Sequence, residues 1–123
     1  MGDSSQPLWL ADVQEHNFPA AESYLNLVFS SKRAARVIAS LRDAPITEFK
    51  AKDIFRASQL SLLGVSNLHV ERDREKIREG TKLSPVLLVR DPRNRKVIVA
   101  DGYHRLCAVY ALDEDALVPC KIV

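Results

Sequence analysis

One stretch near the carboxyl end of the chain, Val97-Ile-Val-Ala-Asp101-Gly102-Tyr103-His104-Arg105-Leu-Cys-Ala108, combines the end of a strand, a tight turn and the start of a helix. The apolar, β-branched run before Asp101 is typical of a buried strand. Asp101-Gly102 breaks that strand, because both residues favour turns. The following run, Tyr103–Leu112, predicts a helix whose apolar residues are Leu106, Cys107, Val109 and Tyr110.

Strand patterns surround this turn on both sides. The runs Pro85–Arg90 and Lys96–Ala100 are rich in β-branched residues, and Asp91-Pro92-Arg93-Asn94 between them suits a type I turn. They therefore predict an antiparallel hairpin. Residues 117–123 predict a closing strand that contains Pro119.

Upstream, the patterns alternate between helix and strand. Residues 46–51 alternate as a half-buried strand does, residues 53–60 predict a short helix, and residues 69–80 predict a charged helix that ends at Gly80. Residues 61–68 carry no decisive pattern, and residues 1–7 predict a polar, mobile segment. The order of elements predicts an α/β (α+β) fold in one domain, residues 1–123.

Two amphipathic helices are expected before Pro45. The first begins near Pro19, and the second is capped by Ser30 or Ser31. Their apolar positions recur at i, i+3, i+4 and i+7: Ala21, Tyr24, Leu25 and Val28 in the first, and Ala34, Val37, Ile38 and Leu41 in the second. We treat residues 1–45 as a helical N-terminal extension of a core at residues 46–123.

Composition limits the classes of function. The chain has 123 residues, with 18 Lys and Arg against 16 Asp and Glu, a net charge of +2. So small an excess disfavours binding to nucleic acid through bulk charge. Cys107 and Cys120 lie in apolar surroundings without metal-ligand spacing, which indicates reduced core residues. No membrane-spanning run or leader pattern is present, so we expect a cytoplasmic protein.

The turn at residues 101–105 has the chemistry of an anion site. The first amides of a helix lack carbonyl partners and lie at the positive end of its dipole. His104 and Arg105 add positive charge there, although a helix alone would favour acidic residues in its first turn. A bound phosphate would resolve this conflict. In the alternative interpretation, Asp101 is an ordinary N-cap and His104 and Arg105 are a solvated pair.

Three stretches together resemble the ParB/sulfiredoxin superfamily: Leu83-Ser-Pro85-Val-Leu-Leu-Val89, the Val97–Ala108 stretch, and Val118-Pro-Cys-Lys-Ile-Val123. The resemblance covers about residues 46–123 and implies a small mixed sheet with helices. It also implies nucleotide binding: ATP in sulfiredoxins, CTP in ParB proteins, and ADP or ATP in a free-serine kinase branch. Gly102, His104 and Arg105 match the phosphate-binding positions, and we add Tyr103, which lies between them.

Two departures narrow what the resemblance implies. Sulfiredoxins carry a reactive Cys where this chain has Tyr103, so we do not expect sulfinic acid reduction. ParB proteins carry a helix-turn-helix region after this domain, whereas the sequence ends at Val123, so we do not expect centromere spreading. Asp101 matches the free-serine kinase branch, which makes phosphoryl transfer or nucleotide hydrolysis the nearest enzymatic analogy.

The helix before the hairpin borders the nucleotide in sulfiredoxin-like proteins. By that resemblance His69, Arg72 and Lys76 lie on the pocket side, and their i, i+3, i+7 spacing places them on one helix face. A solvated charge run is the alternative. Neither Glu71 nor Asp73 can be placed from the sequence.

The expected ligand is a nucleotide, ATP or CTP. No His, Cys or carboxylate cluster predicts a dedicated metal site, but a nucleotide could bring Mg²⁺, with Asp101 as ligand or general base. The competing hypothesis is a regulatory module without enzymatic activity that binds a protein, a small molecule or DNA, or forms a homodimer.

Overall fold

A computed structural model of the protein describes residues 6–62 and 67–123. Within these residues the chain forms five α-helices and six strands. In chain order they are β1 (Leu8–Trp9), α1 (Asn17–Val28), α2 (Ser31–Asp43), β2 (Thr47–Lys50), α3 (Ala51–Ser58), α4 (Leu68–Arg78), β3 (Lys82–Leu83), β4 (Val86–Asp91), β5 (Lys96–Asp101), α5 (Tyr103–Leu112) and β6 (Leu117–Ile122). The mixed α/β class expected from the sequence is confirmed. Part of the polar segment 1–7 and part of the unassigned stretch 61–68 lie outside the described residues.

Four strands form a mixed sheet in the order β2-β6-β4-β5. β4 and β5 are the antiparallel hairpin expected from the sequence, with Leu88 opposite Val99 and Val89 opposite Ile98. β6 pairs parallel to β4 and antiparallel to β2. The hairpin is connected by a 3-10 turn, Pro92–Asn94, in which the Asp91 carboxylate accepts a hydrogen bond from the Asn94 amide.

Each face of this sheet carries its own hydrophobic core. Alternate residues of a strand point to opposite faces, so Val86 and Leu88 join one core while Leu87 and Val89 join the other. The first core lies under α3, α4 and α5. The second lies under α1 and α2, which contribute Phe18, Ala21, Leu25, Ala34, Ile38 and Leu41. The chain is therefore layered as helices, sheet and helices.

A buried lysine connects the N-terminal helices to the sheet. Lys121 of β6 is 6% exposed, and its Nζ donates to the Arg42 carbonyl at 2.7 Å, in the last turn of α2. The same Nζ lies 3.6 Å from the Asp12 carboxylate and 5.8 Å from the centre of the Phe18 ring. A cation suits this place, because the carbonyl end of a helix carries partial negative charge.

Two local expectations need correction, and one strand pairing was not expected. The strand expected over residues 46–51 stops at Lys50, because Ala51 begins α3. The Ala51 amide donates to the Ala116 carbonyl. The short helix expected over residues 53–60 runs from Ala51 to Ser58, and Gln59 follows in the left-handed conformation. A parallel pair, β1 with β3, was not expected.

Among the described residues, no helix is both long and apolar enough to cross a lipid bilayer.

Candidate functional site

The turn between β5 and α5 requires glycine at its centre. Gly102 has φ of +103° and is the N-cap of α5, whose first turn has no side-chain cap. A β-carbon at Gly102 would lie only 2.5 Å from Val86 Cγ1 and 2.8 Å from Arg105 Nη2. The sheet therefore approaches the turn closely. The first amides of α5 have no helix carbonyl to accept from them, as at the start of any α-helix.

The turn and α4 line one concave site. A cavity of about 260 Å³ lies between them. Its wall includes every residue that the sequence singled out: His69, Arg72, Lys76, Asp101, Gly102, Tyr103, His104 and Arg105. The i, i+3, i+7 face of α4 thus borders the cavity, and His69, Arg72 and Lys76 remain exposed there.

Asp73 also lines this cavity, although the sequence alone did not place it. Asp73 is 8% exposed, and its carboxylate lies 3.7 Å from the Lys76 ammonium. Its spacing, four residues after His69 and three before Lys76, would have placed it on the same helix face. The missing information was which face of α4 meets α5. Glu71 instead pairs with Arg78, whose Nη2 donates to it at 3.1 Å.

Arg105 is held in place by the protein itself. Its Nη2 donates to the Asp101 carboxylate at 3.2 Å and to the Pro85 carbonyl at 3.3 Å. Its Nε is buried and has no hydrogen-bond partner among the described residues. Asp101 therefore supplies part of the negative charge that Arg105 would otherwise receive from a bound phosphate.

Positive charge remains after these pairings. Arg72 forms no ion pair with any residue in the described ranges, whereas Lys76 and Arg105 each face one carboxylate. The α5 amides add partial positive charge at the same place. The cavity wall thus has more cationic than anionic groups.

Two histidines lie side by side at the mouth of the site. The ring centres of His69 and His104 are 4.9 Å apart. Burial is the main cause that lowers the pKa of His104 below 6.5, and His69 and Arg105 lower it further, whereas Asp73 raises it. His104 is therefore mostly neutral at pH 7, and a bound anion would favour its protonation.

The Tyr103 side chain connects the turn to neighbouring segments of the protein. This hydroxyl donates to the Ser61 carbonyl, and the ring packs edge-on against Phe55 at 6.4 Å. Burial, and to a lesser degree Cys107, raises the pKa of Tyr103 above 10.0. The hydroxyl therefore stays protonated and directed at the backbone of residue 61, while the ring borders the cavity.

The described residues contain no group of three His, Cys, Asp or Glu side chains that could hold a metal ion. The two carboxylates of the site, Asp73 and Asp101, each face a cation. A Mg²⁺ here would depend on ligand phosphates for most of its coordination, as Mg²⁺ usually does.

A separate cavity of about 230 Å³ lies between α3 and the sheet, away from the turn. Its wall is almost entirely apolar, and its charged residues are Asp53 and Arg90. It lacks the convergent polar groups of the cavity at the turn.

Comparison of the chain with models of protein families, with curated proteins and with solved structures found no significant match. The resemblance to the ParB/sulfiredoxin superfamily thus rests on the three sequence stretches that carry it and stays a prediction.

Proposed function

We propose that this protein binds the phosphate groups of a nucleotide at the start of α5. The observation that carries the proposal is the convergence of His69, Arg72, Lys76 and the turn at residues 101–105 on one cavity. Helix N-termini with nearby cations are a recurrent solution for phosphate binding. ATP and CTP are the ligands that the ParB/sulfiredoxin resemblance implies.

Each group has a distinct part in this proposal. The amides of the first α5 turn donate to phosphate oxygens, and Arg72, which has no carboxylate partner among the described residues, pairs with the phosphate charge. Arg105, already oriented by Asp101 and the Pro85 carbonyl, adds a guanidinium from the rear of the site. His104 gains a proton more easily once the anion is bound.

Titration calorimetry with ATP, CTP, GTP and ADP, with and without Mg²⁺, tests the proposal. We expect saturable binding of at least one nucleotide and a loss of roughly tenfold or more in Arg72→Ala, because a hydrogen bond to a charged group contributes about 1.5–3 kcal/mol. Arg36→Ala is the matched control, since Arg36 is an exposed arginine in the middle of α2. Absence of binding, or equal binding by the two variants, would overturn the proposal.

Phosphoryl transfer or nucleotide hydrolysis is a second proposal, favoured by the position of Asp101. Its carboxylate lines the cavity between α4 and the turn, hereafter the phosphate cavity, and is mostly shielded from solvent. There it could act as a general base or as a Mg²⁺ ligand supplied along with the nucleotide. Asp101→Asn should then keep nucleotide binding and lose turnover. Binding without turnover by the unaltered protein would instead favour a regulatory module.

One further observation bears on the regulatory alternative. Leu27 on α1 is 86% exposed, next to the half-exposed Val28. Exposed apolar residues that adjoin one another can mark a contact surface. Sedimentation of the purified protein over a range of concentrations would test a homodimer through this helix, with Leu27→Asp as the disrupting variant.

A further inference from the structure

Besides the phosphate cavity, a second cavity borders the turn at residues 101–104. It measures about 580 Å³ and shares Asp101, Gly102, Tyr103 and His104 with the phosphate cavity. Its size falls within the range of about 300–1,000 Å³ that is usual for small-molecule sites. A ligand with its phosphates at the start of α5 could therefore extend into this second cavity without leaving the protein surface.

The walls of the two cavities differ in chemistry. The phosphate cavity has His69, Arg72 and Lys76 in its wall, whereas the second cavity is bordered by Ala20, Tyr24, Leu60 and Val99. Its charged or titratable side chains are those of the shared turn and the two tyrosines. The change from cationic to apolar and aromatic walls suits a ligand with an anionic end and a flat apolar end.

Helix α1 supplies one wall of this second cavity. Ala20 and Tyr24 are four residues apart on α1 and so share a helix face. Tyr24 is 45% exposed, so much of its ring is accessible for contact with a ligand. Tyr103 borders the cavity from the turn, and the hydrogen bond from its hydroxyl to the Ser61 carbonyl fixes its ring.

A strand edge borders the cavity as well. β5 pairs with β4 on one side and is the last strand of the sheet in the described residues. The outer backbone groups of an edge strand are available as donors and acceptors, and Val99, Ala100 and Asp101 line the cavity. Such groups can bond to the polar rim of a heteroaromatic ring.

We infer that the second cavity binds the planar ring of the phosphorylated ligand and that Tyr24 stacks on this ring and sets the preference for it. The inference rests on the proposed function, because the phosphate cavity determines where the ring can reach. It assigns a ligand-binding task to α1, a helix outside the part of the chain that resembles the ParB/sulfiredoxin superfamily.

A third cavity, of about 200 Å³, is the alternative place for the ring of the ligand. It adjoins the phosphate cavity at Asp73, Lys76 and Arg105, and its other residues include His16 and Lys82. Its wall is polar and it is smaller, so it suits a flat ring less well. A ring bound there would not touch Tyr24.

Comparison of ADP with inorganic pyrophosphate tests the inference. Base stacking on an aromatic side chain contributes about 1–3 kcal/mol by alanine substitution, which is about 5-fold to 150-fold in affinity. Tyr24→Ala should therefore weaken ADP binding by at least fivefold and leave pyrophosphate binding unchanged. Tyr24→Phe should bind ADP as the unaltered protein does, because the ring is kept. Asn26→Ala is the control, at an exposed position of the same helix that lines neither cavity.

The outcomes separate the two claims. If pyrophosphate and ADP both bind and Tyr24→Ala changes neither affinity, the ring inference is overturned while the phosphate site stands. A loss of ADP affinity in His16→Ala in place of Tyr24→Ala would assign the ring to the third cavity and also overturn it. If neither ligand binds the unaltered protein, the proposed function is overturned and the inference with it.

Discussion

Replacement of Gly102 by alanine should destabilise the protein far more than the same change at Gly80. Both glycines have positive φ, +103° and +76°, so alanine at either position costs about 1–2 kcal/mol in backbone strain. The surroundings differ. A β-carbon at Gly80 would meet nothing within 4 Å, whereas at Gly102 it would lie 2.5 Å from Val86 Cγ1.

Val86 cannot easily move away, because it is a fully buried residue of β4. Forcing an extra carbon into a packed site costs typically about 1–3 kcal/mol. Gly102→Ala should therefore lower the free energy of unfolding by about 2–5 kcal/mol in total. Urea unfolding followed by circular dichroism measures both variants. Equal losses for Gly102→Ala and Gly80→Ala would refute the close packing of the turn against β4.

Four further predictions concern individual side chains. Asp73→Asn should lower the pKa of His104 further, because the negative charge of Asp73 raises that pKa. Titration of the His104 imidazole by nuclear magnetic resonance measures the change, and a higher pKa in the variant would contradict the prediction. Since the pKa of folded His104 lies below 6.5, the unfolded chain binds this proton more readily, and the His104 contribution to stability should be lost as the pH falls below 6.5. Lys121→Met should lower the free energy of unfolding by about 1–3 kcal/mol by removing the buried donor to the Arg42 carbonyl, unlike Lys96→Met at an exposed position. Ser30→Ala should cost about 1 kcal/mol in urea unfolding, because the Ser30 hydroxyl accepts from the Arg33 amide at the start of α2.

Much of the fold is readable from local patterns. The β-branched runs around Asp91-Pro92 became β4 and β5, and the expected helix bounds Tyr103 and Leu112 are those of α5. Local periodicity suffices there, because each element buries a side that its own residues define. It also left open whether Ser30 or Ser31 caps α2, and the structure assigns the cap to Ser30.

Long-range pairings were not readable in the same way. β1 and β3 have two residues each, too few to show any period, and they pair across a long separation in sequence. The alternation over residues 46–51 predicted the strand but not its end, since a window of six residues is too short to show where a period of two changes to a helical period.

The candidate site was likewise predictable from the sequence only where local spacing was enough. The spacing of His69, Arg72 and Lys76 fixed their common helix face, and the resemblance indicated which way it points. Asp73 belongs to that face too, but only the packing of α4 against α5 shows that its carboxylate enters the cavity. The contribution of Tyr24 depends on how α1 crosses the sheet, which no local pattern of α1 contains.

The most direct test of the phosphate site is a map of backbone amide shifts during titration with pyrophosphate, by nuclear magnetic resonance of ¹⁵N-labelled protein. We expect the largest, saturable shifts at the amides of Tyr103, His104 and Arg105, because these residues begin α5 and line the cavity. Saturable shifts confined to other basic segments, such as Lys32 and Arg36 of α2, or no saturable shifts at all, would contradict it.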